Sequence, residues 1–133
     1  MSQPPRIYPT FRFRDPDRMI GWLKAAFGFE EHAVHRDEAG GVVHAELALG
    51  PSMIMCGADR RDAYGALVGE AGPASGGRSL YLAVDDADAA YEQAKAAGAV
   101  IEEELTDRDY GSREFICRDP EGNIWCLGTY RPG

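Results

Sequence analysis

Residues 8–31 read YPTFRFRDPDRMIGWLKAAFGFEE, and residues 79–103 read SLYLAVDDADAAYEQAKAAGAVIEE. The two stretches run the same course. Each opens on a strand of alternating apolar residues, Phe11 and Phe13 in the first and Leu80, Leu82 and Val84 in the second. Each then meets an aspartate-rich helix start: Asp15 or Asp17 with Pro16 suited to an early helical position, and Asp86 or Asp88. Apolar stripes at helical spacing follow, Met19, Ile20, Trp22, Leu23 and Phe27 in one helix and Ala87, Ala90, Tyr91 and Ala94 in the other. Gly28 and Gly98 then stand where a C-cap needs a left-handed residue.

Beyond each helix lie three strand-like runs. The first half places them at 30–36, 42–49 and 52–56, parted by EAGG and GP; the second at 100–105, 113–118 and 123–129, parted by RDYGS and DPEG. The pattern predicts two βαβββ modules, about 6–57 and about 78–130, in a single domain spanning 1–133 with a linker at about 58–77. Within that linker GEAGPASGG is glycine-rich and flexible in composition, and it runs into a strand. A phosphate-binding loop would instead open a helix. In the closing stretch RDPEGNIWCLGTY, Asp119 and Asn123 suit side-chain-to-backbone bonds, Pro120 fixes a turn dihedral, Gly122 permits a positive φ, and Glu121 is expected in solvent.

Strand parity assigns faces. With Phe11 and Phe13 under the first helix, Tyr8, Thr10 and Arg12 point the other way; with Leu80, Leu82 and Val84 under the second, so do Ser79 and Tyr81. Val43, Ala45, Leu47 and Leu49 share one face of their strand and leave His44 and Glu46 on the opposite one. A polar and aromatic wall follows. The faces taken by Arg113 and Phe115 stay open at this point.

Composition narrows the partners. With 22 acidic and 14 basic side chains the net charge is −8, and no Lys or Arg run offers a patch for nucleic acid or an anionic membrane. No stretch approaches the roughly 20 apolar residues of a membrane span, and MSQPPRIYPT has no apolar signal core, so a cytoplasmic location is expected. Cys56, Cys117 and Cys126 are odd in number and form no CxxC pair, which disfavours a disulfide framework and a structural zinc site.

Two βαβββ units, with FRFRDPDRMIGWLKAAFGFEE, VVHAELALGPSMIMCG and YGSREFICRDPEGNIWCLGTY in that order, resemble the vicinal oxygen chelate superfamily. This is the group of glyoxalase I, bleomycin resistance proteins and extradiol dioxygenases, and the HAELALG run is most similar to its PhnB-like branch. The resemblance covers Ile7 to Tyr130. It implies an α+β fold in which curved mixed sheets surround a cavity with helices outside. It also implies a habit of homodimerisation.

In metal-dependent members the ligands are His, Glu or sometimes Gln near the start of each module's first strand and on its last strand. The matching positions here are Tyr8, Met55, Ser79 and Cys126. None is a hard oxygen or imidazole donor suited to Mg, Mn, Ni or Fe(II). Shifting by one residue to Ile7, Pro9, Ile54, Leu80, Trp125 or Leu127 recovers none. No metal and no cofactor are therefore expected, and the resemblance then points to small-molecule binding, of an antibiotic or a metabolite, as in bleomycin resistance proteins.

The ligand-binding candidates are Tyr8, Arg12, His44, Glu46, Met55, Ser79, Tyr81, Tyr110, Arg113 and Cys126. Trp22, Trp125 and Phe115 are further aromatic candidates, although parity puts both tryptophans in the helix-side core. An alternative is a lyase, isomerase or dioxygenase-like enzyme, with His44 and Glu46 as metal ligands, joined by His35, or with Glu46 as a general base raised toward neutrality by burial. Cys126 as a nucleophile would need a nearby cation or helix N-terminus, and mid-strand between Trp125 and Leu127 it is better read as an inert thiol.

Overall fold

A computed structural model describes residues 4–72 and 76–132 of the 133. The elements run β1 (Thr10–Phe13), α1 (Pro16–Phe27), β2 (Glu30–Arg36), β3 (Val42–Leu49), β4 (Ser52–Ala58), α2 (Ala63–Val68), β5 (Leu80–Ala83), α3 (Ala87–Ala96), β6 (Val100–Asp107), β7 (Arg113–Arg118) and β8 (Ile124–Gly128). They form two four-stranded mixed sheets, ordered β1-β4-β3-β2 and β5-β8-β7-β6. In each the first strand lies parallel to the last and the other pairings are antiparallel. The expected α+β class and the repeated βαβββ order are both present.

The chain divides into two compact units, Met1–Lys24 with Gly28–Gly72, and Ala25–Phe27 with Pro73–Gly133. In the first, Asp15 caps α1 by accepting a hydrogen bond from the Arg18 amide at 3.1 Å, and Gly28, at φ 84°, ends it. The stripe on α1 buries Met19, Ile20 and Leu23, and Phe13, Ala45, Leu47, Ile54 and Cys56 of the sheet are buried too. Trp22 is only half-buried. Side chains such as Leu23, Leu47 and Phe13, which are almost wholly removed from water, each contribute about 1.5–3 kcal/mol of hydrophobic stabilisation.

In the second unit Asp86 caps α3 through the Ala89 amide at 3.0 Å. The helix ends at Ala97 in right-handed geometry, and the left-handed turn falls one residue later, at Gly98 with φ 91°. Tyr91 of α3 meets Phe115 of β7 edge-on at 5.2 Å, and the Phe27 ring lies 4.9 Å from Trp125. Phe115 and Trp125 are therefore helix-side core residues. This removes Phe115 as a ligand-facing aromatic and places Trp125 where parity put it.

The DPEGN turn is more than a chain reversal. The Asp119 carboxylate is buried and accepts from the amides of Glu121 and Asn123, from the Asn123 side chain, and from Trp125 Nε1 at 3.0 Å. It fixes the entry to β8. Glu121, expected in solvent, is 7 % exposed, in a turn whose backbone is held by Asp119.

The expected linker is partly structured. β4 continues to Ala58, and α2 follows, capped by Asp62, which accepts from the Gly65 amide at 2.7 Å. Of the glycine-rich run from Gly69 to Gly77, Pro73, Ala74 and Ser75 lie outside the described residues.

Candidate functional site

In the first unit, register puts Thr10 of β1, Met55 of β4 and Glu46 of β3 in one row across the sheet. His44, two residues from Glu46, shares that face, and its Nε2 lies 3.0 Å from Glu46 Oε2. His32 Nε2 is 3.8 Å from the other oxygen, and the His35 ring stacks on His44 at 6.0 Å between centroids. All three histidines of the chain thus gather near one carboxylate. The hydrogen bond from His44 outweighs partial burial and holds the Glu46 carboxyl below its ordinary value.

That direction opposes the neutral-range pKa that a general base would need. It marks Glu46 as an anionic partner of the imidazoles. Among the described residues no three His, Cys, Asp or Glu side chains form a group that could hold a metal ion.

Two first-unit candidates are occupied locally. Tyr8 precedes β1 and donates its hydroxyl to the Pro5 carbonyl at 2.7 Å. Arg12 forms a bidentate pair with Asp62, at 3.1 and 3.2 Å, and its guanidinium lies 4.9 Å from the Tyr64 ring centroid. Expected to orient a ligand, Arg12 instead ties β1 to the cap of α2. A cleft of about 560 Å³ opens beside α2 between Asp59, Arg61, Ala66 and Glu70, but no candidate ligand residue lines it.

In the second unit Tyr81 of β5 stands opposite Cys126 of β8, which stands opposite Ile116 of β7; one row along, Gly128 stands opposite Glu114. Ser79 precedes β5 and is exposed. Arg113 departs from expectation. It shares Phe115's side of β7 and pairs with Asp88 of α3, at 3.2 Å through two nitrogens, and with Asp107 at 3.1 Å. Its guanidinium braces helix to sheet and does not belong to the Tyr81 and Cys126 face.

The residue that organises that face is Glu114, 5 % exposed. Its carboxylate accepts from Ser112 Oγ at 2.9 Å, from the Tyr110 hydroxyl at 3.0 Å to both oxygens, and from Arg108 Nε at 3.2 Å. Arg108 is also paired with Glu103. Tyr81 donates its hydroxyl to the Tyr130 carbonyl at 2.7 Å, the Tyr130 amide donates to Ser112 Oγ at 3.1 Å, and the Tyr110 and Tyr130 rings meet edge-on at 5.9 Å. Burial would raise the Glu114 carboxyl, but the bonds from Ser112, Tyr110 and Arg108 outweigh it and leave the group below its ordinary value.

Cys126 Sγ lies 3.9 Å from Glu114 Oε1. Burial first, and then the Glu114 charge, push its thiol up to about 11. A nucleophilic thiolate is therefore not available there near neutral pH. Burial likewise lifts Cys56 to about 11 and Cys117 to about 12.

Glu114 is absent from the candidates drawn from sequence. Its signal was the parity of β7: once Phe115 is helix-side, Glu114 must face Tyr81 and Cys126. For the metal that the superfamily implies, the matching positions supply a phenol already bonded to a carbonyl, a thioether, a hydroxyl and a protonated thiol. That donor set does not fit a hard divalent cation.

Two mixed sheets with external helices, repeated along the chain, define the vicinal oxygen chelate class of α+β proteins. The model of the Glyoxalase/Bleomycin resistance protein/Dioxygenase superfamily matches residues 8–127, and the chain belongs to that superfamily. A relative from Mycobacterium bovis, the uncharacterized protein Mb0911c, is 28% identical over 127 residues, covering 93% of this chain and 82% of that one. Among solved structures, TioX from Micromonospora sp. ML1 is 27% identical with a TM-score of 0.70, over 97% of this chain and 98% of its own. A glyoxalase/bleomycin resistance protein/dioxygenase family enzyme from Burkholderia phytofirmans PsJN is 26% identical with a TM-score of 0.72, over 91% and 94%. The fold alone is shared with the fosfomycin resistance protein FosX from Mesorhizobium loti, at 17% identity and a TM-score of 0.68, over 98% and 95%. No helix among the described residues is long and apolar enough to cross a membrane.

Proposed function

We propose that this is a metal-independent binding protein for a small organic molecule, an antibiotic or a metabolite, acting as a cytoplasmic homodimer. The observation that carries the reading is the face built by Tyr81, Tyr110, Ser112, Glu114 and Cys126. It combines solvent-exposed aromatic rings, a hydrogen-bonded carboxylate and, at the position where a metal-dependent member would present a ligand, a protonated thiol. Such a surface offers shape and hydrogen bonds to a ligand and no activated nucleophile. His44, Glu46 and Met55 supply a second polar surface on the other sheet.

Purified protein is expected to contain no stoichiometric transition metal, and a chelator should leave its melting temperature unchanged. One tightly held metal ion per chain would overturn the reading. A metabolite and antibiotic library should contain compounds that raise the melting temperature, since a ligand at about 100 times its Kd adds roughly 2.7 kcal/mol to stability. Light scattering at twice the chain mass would support the dimer.

An enzymatic reading keeps one support, the Burkholderia relative described as an enzyme. With Glu46 as base, exchange of a substrate's α-proton in deuterated water should slow in Glu46→Gln; equal rates would remove that residue from the role.

A further inference from the structure

We infer that the Tyr81, Tyr110 and Tyr130 rim above Glu114 receives the cationic nitrogen of an organic ligand, an alkyl or aryl ammonium group. This rests on the binding reading above and names the chemical class of its ligand.

The first argument is the cost of the carboxylate. A buried, hydrogen-bonded charge is often no more stabilising than an apolar side chain of similar volume, so its presence in a sheet face calls for a further reason. The backbone is shaped to admit it. A Cβ on Gly128 would lie 2.5 Å from Glu114 Cγ and 2.8 Å from the Tyr81 hydroxyl, so only glycine on β8 lets both side chains lie over that strand.

The second argument is charge balance. Arg108 is clamped by Glu103 on one side and Glu114 on the other, which leaves the group with two carboxylates and one guanidinium. An anionic ligand would meet the excess negative charge with Arg108 already paired, whereas an ammonium would complete the balance. The net charge of −8 on the chain acts in the same direction.

The third argument is the rim. Tyr81, Tyr110 and Tyr130 are 40 %, 58 % and 47 % exposed, and they supply three of the four exposed large apolar side chains of the second unit among the described residues. They are joined by the Tyr81 hydroxyl on the Tyr130 carbonyl and by the edge-on packing of Tyr110 on Tyr130. Tyrosine faces attract cations by about 0.5–1 kcal/mol at exposed sites and by more when water is displaced. Ile116 and the neutral thiol of Cys126 extend the same face for an apolar ligand body.

The test is titration of the full-length ¹⁵N-labelled chain at pH 7 with three matched probes: phenethylamine, 2-phenylethanol and phenylacetate. The amine should shift the Tyr81, Cys126, Gly128 and Tyr130 amides and bind about five-fold or more tighter than the alcohol. Phenylacetate should bind weakest. Glu114→Gln should cut the preference for the amine over the alcohol at least about two-fold, leaving the part that the tyrosine rings supply. Tyr130→Ala removes an exposed ring but keeps the backbone bonds to Tyr81 and Ser112, so it tests the rim even if the Gln variant fails to fold. It should weaken the amine several-fold.

Equal or reversed preference among the probes, shifts confined to other residues, no shifts at all, or a preference undiminished by Glu114→Gln would each overturn the inference. The binding reading fails separately, when a broad library of neutral and anionic compounds also leaves the melting temperature unmoved.

Discussion

Gly128 is the residue on which the second-unit face turns. It sits opposite Glu114 in the β7–β8 ladder, and a methyl group there would strike the middle of the Glu114 side chain, which cannot swing clear without leaving Ser112, Tyr110 and Arg108. Gly128→Ala should therefore destabilise the protein by about 1–3 kcal/mol, as overpacking does, and thermal denaturation should show the drop. An unchanged melting temperature would mean that Glu114 is not held as described. The site was only partly legible at this scale. His44 and Glu46 follow from i, i+2 parity on a strand with clear alternation, and their 3.0 Å bond agrees with it. In REFICR, by contrast, the neighbours Phe115 and Ile116 are both apolar, so alternation does not name a face, and the choice is made by Tyr91 and Asp88, which are remote in sequence. The contact with Asp88 turns Arg113 toward α3 and Glu114, absent from the candidates drawn from sequence, toward Tyr81 and Cys126.

Helices and strands were more legible than side-chain partners, because the same signals occur twice. Asp15 and Asp86 cap α1 and α3 in the same geometry, each bonding the amide three residues on. Asp15→Ala and Asp86→Ala should each cost about 1 kcal/mol of global stability in denaturant unfolding. Asp62→Ala should behave differently. It caps a six-residue helix with no buried residue, so its loss should speed hydrogen exchange at Gly65 and Ala66 while moving the global midpoint less than the other two. A larger global loss than at Asp15 would show that the Arg12 pair, and not the cap, is what Asp62 supplies. The same facts make α2 hard to tell from a linker in the sequence. Tyr64, Leu67 and Val68 stand at helical spacing but stay exposed, a run of six residues is too short to set a period, and its place is set by Arg12 and Tyr64 through tertiary contacts.

Across the whole molecule, two sets of shifted groups bound the pH range of stability from opposite sides. Asp17, Glu46, Asp62 and Glu114 have carboxyls held below their ordinary values of 3.8 for Asp and 4.5 for Glu. Such groups bind fewer protons folded than unfolded, so their stabilisation is complete above those values and is lost as pH falls through the lowered ones. The exposed ion pairs contribute little to this limb, and buried Glu114, facing Arg108, Tyr110, Ser112, Tyr81 and Cys126, contributes most. Cys56, Cys117 and Cys126 lie on the other side, raised from 9.0 to about 11, about 12 and about 11. Their stabilisation is complete below 9.0 and is lost as pH rises through the raised values, because the unfolded chain ionises first. The melting temperature should be flat between about pH 5 and 8 and decline on both sides. Glu114→Gln should flatten the acid limb and soften the alkaline limb only at Cys126, which loses the Glu114 charge but stays buried, while Cys56 and Cys117 keep theirs. An acid limb unchanged by that substitution, or a melting temperature that rises above pH 9.0, would contradict this account of the buried groups.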